Sequence, residues 1–121
     1  MIHDTAIIDK NASLHPSVKV GPYSIIGPEV SIGENTIIES HCVIKGPTKI
    51  GKECHFFQFS TIGDATPDLK YKGEKTSLTI GDFNIFREGV TVHRGTIQDK
   101  ADTLIGNNNL IMAYTHIGHD C

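Results

Sequence analysis

No run of eighteen apolar residues, no charged leader followed by an apolar stretch and no cluster of basic side chains occurs in these 121 residues. The first two absences exclude a helical membrane span and a secretory signal, so the chain reads as soluble, unexported and cytoplasmic. The third, with a formal net charge of -3 and a pI near 6.1, argues against a general nucleic-acid or anionic-membrane binder. Cysteine is scarce too: there are three, an odd number. Cys42 and Cys54 read as small core residues of a reducing compartment and not as a disulfide staple, and Cys121 is the last residue. The length suits one domain, residues 1–121, with enough material for a core.

What the chain does have is a repeat of six. From Ile8 an aliphatic or aromatic anchor returns at Leu14, Val20, Ile26, Ile32, Ile38, Ile44, Ile50, Phe56 and Ile62, and glycine follows it at Gly21, Gly27, Gly33, Gly51 and Gly63. Two residues before each anchor stands a small or β-branched residue, from Ala6 and Ala12 through Ser24 and Thr36 to Cys54 and Ser60. Amphipathic helices space apolar residues by three and four, and hairpin sheets alternate over irregular lengths, so neither produces a strict six. A short strand followed by a turn does. In such a strand the anchor and the residue two before it point the same way, into a common interior. The glycine is expected to supply backbone angles that a Cβ forbids. Three strand-and-corner units close one triangular coil of about eighteen residues, and coils stack about 4.8 Å apart. The spacing therefore predicts an all-β parallel solenoid with vertical ladders Ile8/Ile26/Ile44/Ile62, Leu14/Ile32/Ile50 and Val20/Ile38/Phe56.

The period fails twice. Residues 64–77 carry Lys70, Lys72, Glu74 and Lys75 without an inward apolar pair, and residues 94–102 lack the apolar period as well. Both are expected to be external loops thrown out from corners. The repeat resumes at Ile80, Phe86 and Val92, and again at Ile105, Ile111 and Ile117. Asn109 falls on an inward position there, which predicts a buried amide bonded along the stack. A coil cut after Gly118 presents an uncovered strand edge with no cap, from which the chain is expected to be the front part of a longer protein.

Four polar residues of the resumed repeat are candidates for chemistry. His119 lies two residues after the anchor Ile117, in the phase of exposed corners, with Asp120 beside it; His116 and His93 flank anchors and face outward. An imidazole titrates near neutrality and a neighbouring carboxylate stabilises its protonated form, so a corner histidine of this kind can act as a general base. The loop segment 67–74, PDLKYKGE, offers Lys as a point charge and Asp as an acceptor for a sugar or phosphate.

With the hexads, three segments, QFSTIGDATPDLKYKGE at 58–74, TVHRGT at 91–96 and HIGHDC at 116–121, carry a resemblance to the acyl-carrier-protein–UDP-N-acetylglucosamine O-acyltransferase family, which opens lipid A biosynthesis. The resemblance is to the N-terminal part of that family and covers the whole chain. It implies a left-handed parallel β-helix with two external loops, against the usual right-handed crossover, and a homotrimer with active sites between subunits. It also implies transfer of an (R)-3-hydroxyacyl group from acyl carrier protein to the 3-hydroxyl of UDP-N-acetylglucosamine, with no metal or other cofactor. By the same resemblance His119 is the base, Asp120 orients it, Asp68 and Lys70 contact substrate, and His116 and His93 line the cleft. Members of the family continue for more coils and end in a helical domain, both missing from these 121 residues, and Gly118 stands where the family commonly has alanine. Three alternatives fit the same repeat: a paralogous UDP-glucosamine N-acyltransferase, a γ-class zinc hydratase using His93, His116 and His119, and an inactive solenoid fragment.

Overall fold

The computed structural model describes residues 1–64, 77–93 and 102–117. These form sixteen short strands, numbered in chain order, on three faces. The first face stacks β1 (Ile7–Ile8), β4 (Ile25–Ile26), β7 (Val43–Ile44), β10 (Thr61–Asp64), β13 (Thr91–His93) and β16 (His116–Ile117). The second stacks β2 (Ser13–Leu14), β5 (Val30–Ile32), β8 (Thr48–Ile50), β11 (Ser77–Ile80) and β14 (Asp102–Ile105). The third stacks β3 (Lys19–Val20), β6 (Ile37–Ile38), β9 (His55–Phe56), β12 (Ile85–Phe86) and β15 (Leu110–Ile111). Each strand pairs in parallel with the strand three before it, which is one turn of a parallel β-helix. Among the described residues no helix is long and apolar enough to cross a membrane.

The anchors lie over one another as their spacing requires. Ile8 pairs with Ile26, Ile26 with Ile44 and Ile44 with Ile62, and the ladder continues to Val92 and Ile117. Leu14, Ile32 and Ile50 form the second ladder, extended by Ile80 and Ile105. Val20, Ile38 and Phe56 form the third, extended by Phe86 and Ile111. Anchors and their partners two residues earlier make one continuous core, in which Cys42 and Cys54 are buried free thiols. Burying an aliphatic or aromatic anchor contributes about 1.5–3 kcal/mol.

The role expected for the glycines holds at Gly63, whose φ is +81°, and needs correction at the other anchors. Left-handed backbone does occur at the corners, but three residues after the anchor and on ordinary side chains: Tyr23, Glu29, Asn35, His41, Glu53, Phe59, Phe83, Asn108 and Tyr114 have φ between 56° and 64°. The same phase after Ile44 is held by Pro47, whose ring excludes positive φ, and the Gly46–Pro47 peptide is cis. Glycine next to the anchor answers a different constraint, the closeness of the following coil. A Cβ on Gly33 would lie 2.8 Å from the carbonyl carbon of Gly51, and one on Gly51 would meet Gly81 O at 2.7 Å. Asp82 Oδ1 fills that same space and accepts the Lys52 N–H at 2.9 Å.

Two further expectations change in detail. Asn109 is exposed, because β15 is the edge strand of its face. The buried amide is Asn84, whose Nδ2 donates to Gly106 O at 2.6 Å and whose Oδ1 accepts the Asn109 N–H at 2.8 Å. The strands also reach further into the interruptions than the period does. Asp64 closes β10, while Ser77 and Asp102 open β11 and β14 and pair with each other, so parallel pairing claims these residues from the interruptions. The remaining residues of the two interruptions, 65–76 and 94–101, lie outside the described residues, and with them the two expected external loops.

Candidate active site

The two described residues among those singled out from the sequence, His93 and His116, lie on the first face. His93 ends β13 and His116 begins β16, on neighbouring parallel strands. The ladder sets His116 opposite Thr91 and Ile117 opposite Val92. One histidine therefore precedes its anchor and the other follows its own, so that the two lie diagonally across the strand pair. Their rings meet edge to face, with centroids 4.7 Å apart and planes at 65°. His116 is exposed and His93 half-buried. Such a pair presents the His116 imidazole at the surface, while the Nδ1 of His93 is buried and the anchors beneath hold the backbone in place.

Of the six residues singled out from the sequence, the structure brings together His93 and His116. His119, Asp120, Asp68 and Lys70 lie outside the described residues. Among the described residues no group of three or more His, Cys, Asp or Glu side chains could hold a metal ion. The sequence reading passed over Asp64, the first residue of the interruption at 64–77. In the structure Asp64 belongs to β10 and stands opposite His93 in the ladder, because the register shifts between Ile62 and Asp64. A glycine followed by an acid at the point where the period breaks was the only trace of that shift in the sequence.

No family model matches the chain. Individual proteins do. The acyl-[acyl-carrier-protein]–UDP-N-acetylglucosamine O-acyltransferase of Saccharophagus degradans is 64% identical over 119 residues, covering 98% of this chain and 46% of that protein. The enzyme of the same name from Stutzerimonas stutzeri is 63% identical over 120 residues, covering 99% of the chain and 46% of its own length. Among solved structures, LpxA from Acinetobacter baumannii matches with a TM-score of 0.98 at 53% identity, over 99% of this chain and 46% of that one. The UDP-N-acetylglucosamine acyltransferase of Francisella novicida gives 0.98 at 46% identity, over 100% and 44%. The chain thus spans about half the length of the curated relatives it matches. A superposition this close includes the hand of the coil, and the helix is left-handed, as in those structures. Over nearly its whole length the chain is thus similar, at 63–64% identity, to the N-terminal part of proteins named acyl-[acyl-carrier-protein]–UDP-N-acetylglucosamine O-acyltransferase.

Proposed function

We propose that the protein carrying this chain transfers an (R)-3-hydroxyacyl group from acyl carrier protein to the 3-hydroxyl of UDP-N-acetylglucosamine, the first step of lipid A biosynthesis. The observation that carries this reading is the 64% identity to an enzyme of that name across 98% of the chain, on a fold that sets His93 against His116 at one edge of the first face. In the proposed reaction His119 takes the proton from the sugar hydroxyl as its oxygen attacks the thioester carbonyl. The C–O bond forms, the C–S bond breaks, and the departing thiolate of the carrier recovers the proton from the imidazolium. Asp120 orients the base, Asp68 and Lys70 contact substrate, and His93 and His116 line the cleft. Exchange of a thioester for an ester calls for no cofactor and no metal.

The working assembly in this reading is a cytoplasmic homotrimer, with residues 1–121 as one β-helical domain of each subunit. What supports the trimer is the unequal character of the three faces. Outward positions of the second face are mostly polar, with Ser13, Ser31, Lys49 and Thr79. The first face exposes Ile7 and Ile25, and the third exposes Ile85 and Leu110. The corner between these two carries Tyr23, His41 and Phe59, stacked with successive centroid separations of 5.3 Å. Contiguous apolar surface of this kind suits contact with other subunits.

The test is acyl transfer by the complete protein, with (R)-3-hydroxyacyl carrier protein as donor and either UDP-N-acetylglucosamine or a 3-O-acylated glucosamine nucleotide as acceptor. Turnover is expected with the first acceptor only, and His119→Ala should lower it by about 10²–10⁴-fold. Preference for the second acceptor would assign the paralogous N-acyl transfer, and an unimpaired His119→Ala enzyme would remove the base.

A further inference from the structure

The outward positions one residue before the anchors of the first face form a column from coil to coil: Ile7, Ile25, Val43, Thr61, Thr91 and His116, each opposite the next in the ladder. The lower half is apolar, and Ile7 and Ile25 are exposed. At Thr61 the column turns polar, in the rungs that lead to His116, whose ring meets that of His93 at 4.7 Å. Valine has the branched shape of threonine and suits a strand equally well, as Val43 does one rung below Thr61. Threonine adds only a hydroxyl to the column.

The fold does not use those hydroxyls. Thr36 Oγ1 donates to Gly51 O, Thr48 Oγ1 donates to Lys45 O, and Thr5 Oγ1 accepts the Tyr23 N–H. Thr61 Oγ1 and Thr91 Oγ1 have no such partner among the described residues, although their backbone N–H groups are bonded, to Val90 O and Thr115 O. Both residues are half-buried beside the fully buried anchors Ile62 and Val92. With rungs about 4.8 Å apart, Thr61, Thr91 and His116 span about 10 Å along one side of the sheet. That strip carries two hydroxyls and an imidazole, each able to bond an oxygen of a ligand.

We propose that Thr91 and Thr61 are substrate-binding residues, whose hydroxyls hydrogen-bond oxygens of the nucleotide sugar along the column that ends at His116. The assignment rests on the acyl-transfer reading, in which His93 and His116 line the cleft. A nucleotide sugar is dense in phosphate and hydroxyl oxygens, and these accept hydrogen bonds from a neutral hydroxyl. The side chains of Val43, Ile25 and Ile7 below can make none, so the site ends at Thr61.

The experiment measures binding of UDP-N-acetylglucosamine to the complete protein by calorimetry, for the parent, Thr91→Val, Thr91→Ser and the double variant Thr61→Val with Thr91→Val. It adds KM, kcat and the unfolding midpoint of each. Thr91→Val should weaken binding and raise KM about tenfold, with kcat altered less than about threefold. The double variant should bind about a hundredfold more weakly, and Thr91→Ser should stay within about threefold of the parent. Neither valine variant should lower the unfolding midpoint, because valine suits the strand as well as threonine does. A folded Thr91→Val protein that binds as tightly as the parent overturns the proposal. So does equal weakening in Thr91→Ser, which would trace the loss to shape and not to the hydroxyl. If the parent binds the nucleotide sugar and Thr91→Val weakens it, but no acyl group is transferred, the binding assignment stands and the acyl-transfer reading fails. A parent that does not bind it removes both.

Discussion

Phe56 and Phe86 lie face to face inside the coil, with ring centroids 4.6 Å apart and planes within 7° of parallel, although the insertion at residues 65–76 separates them in the chain. Both are fully buried. The stack shows that the third ladder passes the interruption without losing register, since Phe56 pairs with Phe86 in the ladder as Ile38 does with Phe56.

Removing one ring should therefore weaken the structure on both sides of the insertion. Phe86→Ala is expected to destabilise by about 3–5 kcal/mol through lost transfer energy and the cavity left behind. Denaturant titration of parent and variant measures it, and a loss under about 1 kcal/mol would mean that the core closes over the gap.

Glycine positions next to the anchors should divide by their distance from the next coil. Gly33→Ala places a Cβ 2.8 Å from backbone that cannot move freely and should cost about 1–3 kcal/mol. At Gly27 the nearest atom, Ile44 O, is 3.4 Å away, and φ is not positive. Gly27→Ala should be neutral or stabilise by up to about 1 kcal/mol, because it narrows the unfolded ensemble. Equal thermal shifts for the two variants would contradict the close-approach account.

The left-handed corners make a separate prediction. Glu53 is exposed with φ 56°, so its backbone conformation matters more than its contacts. Glu53→Asn should stabilise by about 0.5 kcal/mol, because asparagine tolerates this region, and Glu53→Val should destabilise by about 1 kcal/mol. Chemical denaturation of the two variants should move the midpoint in opposite directions.

Burial pushes the Cys42 thiol from its ordinary value near 9.0 up to about 11, and burial raises that of Cys54 as well. A raised folded value means that the folded state holds its proton more tightly than the unfolded chain does. The associated stability is complete below about pH 9 and is lost as pH rises towards 11, by up to about 3 kcal/mol for Cys42. Unfolding free energies across that window should fall for the parent and fall less for Cys42→Ala. Peptide mapping after alkylation at pH 8 should find Cys42 and Cys54 unmodified in the folded protein.

Much of this architecture was legible beforehand because the repeat is strict. An anchor every sixth residue, with a small partner two before it, specified the strand phase, the inward set and the vertical neighbours such as Ile26 over Ile44. It could not say why glycine follows the anchor, since the crowding at Gly33 comes from Gly51, a full coil away in the chain. Asn109 and Asn84 occupy the same phase of the hexad, and only their places at the edge and within the stack distinguish an exposed amide from a buried one.

The histidines divide in the same way. Their outward phase was readable one residue at a time, because alternation along a strand is a local property. That His93 and His116 touch depends on β13 and β16 being neighbours in the stack, and that Asp64 stands opposite His93 depends on a slip absorbed at Gly63. The amino-acid sequence by itself determined the coil, its core and the side of the strand on which each histidine emerges. Tertiary stacking decided which polar residues meet, because a ladder's register is set jointly by two strands and one bulge is enough to exchange a glycine for a carboxylate.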